Sequence, residues 1–99
     1  MINHVVLFKL NDFPEGEKQV VREKIKSLLE GLKGKISELK YIEVGLNIGS
    51  NTQGYDICLI THFENKAALD AYAIHPEHLK VVDYIRASTA ARAAVDYSF

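Results

Sequence analysis

Ile2-Asn3-His4-Val5-Val6-Leu7-Phe8-Lys9-Leu10 is the stretch that decides the fold. Its side chains alternate on a β-branched and aromatic background, which is the period of a strand. Ile2, His4, Val6, Phe8 and Leu10 fall on one face, Val5 and Leu7 on the other. Both faces are apolar, so this strand needs a cover on each side. The rest of the chain has to supply those covers.

Asn11-Asp12-Phe13-Pro14 breaks the strand and suits a helix start, with Asp able to cap and Pro fitting the first turn. The spacing predicts a helix from about Glu15 to Lys33. Val21, Ile25, Leu28 and Leu32 form its stripe, Val20 and Leu29 widen it, and Gly34 is the expected C-cap. Lys18, Arg22, Glu23, Lys26 and Glu30 form the solvated side. Leu39 to Ile48 reads as a second strand, with Ile42, Val44, Leu46 and Ile48 on one face. Gly49-Ser50-Asn51-Thr52-Gln53-Gly54 has the composition of a loop. Tyr55 to Glu64 reads as a third strand, again apolar on both faces in its middle. Asn65 can cap a helix from Lys66 to about Ile74 that presents Leu69, Tyr72 and Ala73. Pro76 ends that helix and suits the first position of the next, which runs to about Ala87 and should bury Leu79, Val82 and Ile85. Arg92 to Phe99 alternates weakly and reads as a fourth strand. The order strand-helix-strand-strand-helix-strand describes one α+β domain over residues 1–99, and no repeat or linker interrupts it.

Bulk properties agree. Ninety-nine residues at 47% hydrophobic and 25% charged suit one globular domain. A net charge of −1, from 12 basic and 13 acidic residues, offers no field for phosphate backbones, so no nucleic-acid partner is expected. No apolar run reaches the length of a membrane span, and Met1-Ile2-Asn3-His4 has no signal-peptide character. The single cysteine, Cys58, falls within a strand and reads as a small buried hydrophobe. These features point to the cytoplasm. A four-stranded sheet with helices on one side would leave its second face bare and partly apolar. Soluble monomers expose contiguous apolar patches of only a few hundred Å² or so. Pairing two sheets face to face would remove the patch at ~25 cal/mol per Å², which predicts a two-fold homodimer.

The most distinctive segment is Tyr72-Ala73-Ile74-His75-Pro76-Glu77-His78. Pro76 places His75 at a cap position and His78 in the first turn of a helix. The positive end of that helix disfavours imidazolium, so His78 is expected to be neutral near pH 7. Three roles are open to these residues. His75 and His78 are caps at a tight corner, which suits His75 best; or His78 and Tyr72 form an acid/base pair in an apolar pocket; or the histidines bind metal. The last is weakest because no third ligand is evident besides Glu77, and no metal is expected. His4 shares a face with Val6 and Phe8, as a core histidine would. His62 suits an edge or interface, and Asp56 a role in register. Neither a glycine-rich phosphate loop nor a dinucleotide fingerprint is present.

Taken together, the chain resembles the stress-responsive A/B barrel (Dabb) domains, a family of dimeric α+β barrels. The resemblance spans essentially all of it. It is carried by His4 to Leu10, Gly45-Leu46-Asn47, Tyr55-Asp56-Ile57, Phe63-Glu64, Ala68 to His78 and Val95-Asp96-Tyr97, with Tyr-x-x-His-Pro-x-His the most specific part. It implies a ferredoxin-like βαββαβ fold with a four-stranded antiparallel sheet, paired into a barrel between protomers. Most members have no assigned reaction. In one, a plant polyketide cyclase that closes an aldol without a cofactor, the catalytic tyrosine and histidine fall on Tyr72 and His78, and a further pocket histidine falls on His4. This chain departs from the cyclase in having Ile57 where the cyclase has a strand histidine, and in having no tyrosine between Glu15 and Lys33.

The expectation is therefore a homodimer with an apolar small-molecule pocket between sheet and helices. Tyr72 and His78 are its candidate catalytic residues; His4, Phe8, Ile57, Leu59 and His75 are candidates for binding. No cofactor is implied. A cofactor-independent lyase or cyclase is the second reading, and a non-catalytic structural stress protein the third.

Overall fold

The structure, a computed structural model of the chain, describes residues 1–49 and 54–99. The elements are β1 (Ile2–Leu10), α1 (Glu15–Glu30), β2 (Tyr41–Leu46), β3 (Ile57–Phe63), α2 (Lys66–Ala73), α3 (Pro76–Ser88) and β4 (Thr89–Ser98). The strands form one antiparallel sheet in the order β2-β3-β1-β4, which is the ferredoxin-like arrangement. The two strands whose sequences are apolar on both faces, β1 and β3, are the central ones. The loop expected at Gly49 to Gly54 lies largely outside the described residues.

The pleat sorts the sheet into two surfaces. On the helix side Val6, Phe8 and Leu10 of β1, Val44 of β2, and Ile57, Leu59, Thr61 and Phe63 of β3 are buried. They meet Val21, Ile25 and Leu29 of α1, Leu69 and Tyr72 of α2, and Val81 and Ile85 of α3 in one core cluster. On the other side the register aligns Glu43, Ile60, Val5 and Val95 in one row and Gly45, Cys58, Leu7 and Ala93 in the next. Among the described residues no helix covers these rows. Above them His62 stacks on Tyr41 at 4.6 Å and lies 4.7 Å from the Phe99 ring, while Asn3 donates to the Tyr97 hydroxyl at 2.8 Å. Cys58, expected to be buried, is half-buried on this open surface.

Several local expectations are corrected. Helix α1 starts at Pro14, which is its N-cap with no side-chain bond, so Asp12 does not cap it. The helix stops at Glu30 with Gly31 as C-cap, and Gly34 instead takes a left-handed turn at φ 85°. Leu32 lies beyond that helix and is buried all the same. Strand β2 is shorter than expected: Leu39 is buried just before it, while Ile48 is fully exposed beyond it. Strand β4 begins at Thr89, directly after α3, rather than at Arg92. Helix α3 buries Val81 and Ile85 and leaves Leu79 exposed. Among the described residues no helix is long and apolar enough to cross a membrane.

Asp56 has the register role its position suggests. Its Oδ2 accepts the Leu10 N–H at 2.8 Å, its Oδ1 lies 3.5 Å from Lys18 Nζ, and its backbone N–H donates to Phe8 O at 2.8 Å. One side chain thus ties the start of β3 to the end of β1 and to α1. The Asp56→Ala variant should lose about 1–3 kcal/mol of unfolding free energy, because it strands a part-buried N–H. Urea unfolding at constant m-value would read this as a lower midpoint; an unchanged midpoint would show that these bonds do not hold the register.

Candidate functional site

A cleft of about 380 Å³ opens between the sheet and the α2–α3 pair. Phe8, Val82 and Ile85 form its apolar wall, with Ala73 and Thr89 beside them, and His78, Arg86 and Arg92 supply its polar groups. Its volume lies in the usual range for small-molecule sites, roughly 300–1,000 Å³.

The corner between α2 and α3 positions the histidines. Asn65 Oδ1 accepts the Ala68 N–H at 2.9 Å and starts α2. Pro76 at the first position of α3 prevents α2 from continuing. His75 is the N-cap, its Nδ1 accepting the Glu77 N–H at 3.1 Å, so this ring is committed to the backbone. His78, one turn on, contacts the Ala73 carbonyl through Nδ1 at 3.1 Å. A carbonyl can only accept, so Nδ1 carries the proton and the lone pair is on Nε2.

Burial pushes the His78 pKa below its ordinary 6.5; the bond to Ala73 opposes that, and the charges of His4, Arg92 and His75 add to it. The expected neutrality at pH 7 thus has desolvation as its main cause rather than the helix end. The Tyr72 ring packs against His78 with centroids 4.4 Å apart and against Phe63 at 4.9 Å. Its hydroxyl is buried without a hydrogen-bond partner among the described residues, and burial raises its pKa to about 12. At neutral pH Tyr72 is a phenol with an unused donor, beside an imidazole with an unused acceptor.

The other candidates separate. Phe8 lines the cleft. His4 contacts the Asp96 carboxylate through Nδ1 and lies edge-on to Phe63, with ring centroids 6.4 Å apart. Ile57 and Leu59, at 1% and 3% exposure, are packed in the core rather than on the cleft wall. Sequence reasoning missed Arg86, Arg92 and Asp96. Only the pairing of β4 with β1 sets Arg92 opposite Phe8 and therefore on the helix side, and the sequence holds no sign of that register. Among the described residues no group of three or more His, Cys, Asp or Glu side chains is arranged to hold a metal ion.

Comparison with known proteins is consistent with this architecture. The model of the family described as Stress responsive A/B Barrel Domain matches residues 2–99. An uncharacterised Streptomyces coelicolor protein is 33% identical over 78 residues, which is 79% of this chain and 79% of that protein. A stress-response A/B barrel domain-containing protein of Arabidopsis thaliana is 37% identical over 83% of this chain, and the match spans 39% of that longer protein. Among solved structures, a dimeric ferredoxin-like protein of unknown function from Bacteroides fragilis is 40% identical. It superposes with a TM-score of 0.91, covering 99% of this chain and 95% of that one.

The His78 environment predicts a pH dependence. The unfolded chain takes up a proton near pH 6.5, and the folded chain does so only at lower pH. This contribution to stability is therefore present above 6.5, declines as pH falls below it, and levels off once the folded-state value is passed. NMR titration of the His78 ring should give a midpoint below 6.5. A midpoint at or above that value would mean that the ring is solvated.

Proposed function

Given that this chain belongs to the stress-responsive A/B barrel domain family, we propose that it works as a homodimer which binds a small, largely apolar molecule in the cleft beside His78. The observation that carries the binding reading is the Tyr72 hydroxyl. A buried donor without a partner costs about 1–3 kcal/mol. A cost of this kind is retained where it serves a site. Tyr72 is buried behind the cleft wall, its ring packed on the cleft-lining His78, and a carbonyl or hydroxyl group of a ligand that reaches past His78 would satisfy its hydroxyl. The dimer is supported by the open apolar rows around Val5, Leu7, Ile60 and Val95 and by the dimeric state of the Bacteroides fragilis relative.

The same pair supports a second reading, a cofactor-independent lyase or cyclase. His78 Nε2 would take a proton from the carbon next to a carbonyl, leaving an enolate. The Tyr72 phenol would donate a hydrogen bond to the developing oxyanion, which a group protonated up to about pH 12 can do throughout the neutral range. The enolate carbon would then attack a second carbonyl of the same substrate, and the proton held by His78 would return to the new alkoxide. Desolvation keeps the imidazole in its basic form, as that first step requires.

Two measurements test these readings. In a thermal-shift screen of small apolar carbonyl compounds, a bound one should raise the unfolding temperature of the wild type. Tyr72→Phe should keep or gain stability, by up to roughly 1–3 kcal/mol, while its response to the compound weakens. A variant that loses stability and keeps the response would assign Tyr72 to packing alone. For the dimer, Leu7→Glu places a charge at the centre of the open rows. Light scattering at micromolar concentration should then show half the wild-type mass, and an undiminished mass would reject pairing through this face.

A further inference from the structure

We infer that the ligand of this cleft carries a carboxylate, held by Arg92 and Arg86 at the cleft mouth, on an apolar body that reaches toward Phe8 and His78. This inference rests on the binding reading above and adds the chemical class of the molecule. Arg92 stands opposite Phe8 in the β1–β4 register, on the helix side of the sheet, and Arg86 comes from the last turn of α3. Both are exposed and line the same cleft. Neither guanidinium has a hydrogen bond or ion pair among the described residues, and no Asp or Glu lines the cleft there. The acidic groups nearby are engaged elsewhere: Asp96 contacts His4, and Glu77 lies 3.1 Å from Lys80 Nζ.

Arginine cannot shed its charge in a protein, so two guanidinium groups share one opening with nothing to offset them. Their planar forks match the two oxygens of a carboxylate. The same forks also match phosphate, but phosphate sites commonly add a lysine or free backbone N–H groups framed by glycine. The cleft lining has neither a lysine nor a glycine, and at the start of α3 the Glu77 N–H is already taken by His75. The remaining wall, Phe8, Val82 and Ile85, accepts only apolar contacts.

The probes are 4-phenylbutyrate and its neutral counterpart 4-phenylbutanamide, titrated at neutral pH and low salt while backbone amide NMR signals of the full chain are followed. Both should shift signals around the cleft, and the carboxylate should bind about tenfold more tightly or better, as charge-assisted bonds to arginine do. Arg92→Gln should erase the preference, weakening the carboxylate by far more than the amide. If Arg92→Gln does not fold, Arg86→Gln should show the same loss in part. Equal affinities in the wild type, or a preference that survives both substitutions, would overturn the carboxylate assignment while leaving the binding reading intact. Failure of both probes to shift any cleft signal would overturn the two together.

Discussion

Two central strands that are apolar on both faces set the terms for everything else in this molecule. Each apolar face of β1 and β3 has to leave water, and three helices on one side can satisfy only half of that demand. The helix-side half is met by Val6, Phe8, Ile57, Leu59 and Phe63, sealed against α1, α2 and α3. The other half, centred on Val5, Leu7 and Ile60, has no cover among the described residues. The gain from burying it, at ~25 cal/mol per Å², is available only from another surface of matching shape. A second copy has such a surface by symmetry. The same pleat therefore directs one set of side chains into the core beneath the helices, with Phe8 also reaching the cleft, and the opposite set onto the open face.

The cleft residues belong to a chain of dependence that begins at Pro76. The proline stops α2, places His75 where it can cap α3, and so brings His78 back to the Ala73 carbonyl at the end of α2. That bond fixes which ring nitrogen bears the proton. Burial then keeps the ring neutral and keeps Tyr72 protonated. A basic nitrogen and a phenol come together only because a helix break and a cap hold two helices at one corner.

Most of the fold was legible in the sequence because period and punctuation agree. Alternation marked β1 and β3, Asn65 marked the start of α2, and Pro76 marked the break. What was misread depends on partners distant in the chain. Strand β2 ends where its pairing with β3 ends, at Tyr41 opposite His62 and Leu46 opposite Ile57, and the apolar pattern of Leu39 to Ile48 holds no record of that limit. Strand β4 begins with small residues that have no hydrophobic rhythm, so its first turns of pleat were invisible. The corner residues Tyr72, His75 and His78 could be singled out from their spacing. Arg86 and Arg92 could not, because an isolated arginine on a helix or strand looks like any solvated charge until the fold shows what it faces. Ile57 and Leu59 lie on the correct face of β3, yet the cleft sits over β1 and β4, which the strand order decides.

The strand order also bears on how the domain is made. Its longest pairing joins Ile2 to Ser98 and runs back to Leu10 and Thr89, so β1 has β3 on one flank and waits on the other for residues 89–98. A nascent chain on the ribosome would hold a finished α1 and a half-zipped sheet, with one flank of its greasiest strand unsatisfied, until those residues emerged. Pairings of such large sequence separation carry a heavy loop-closure cost and form slowly. A strand flank left open in the meantime can recruit a strand from another unfinished chain. The long, Ala-rich β4 that completes the sheet is thus also the segment on which escape from misassociation depends.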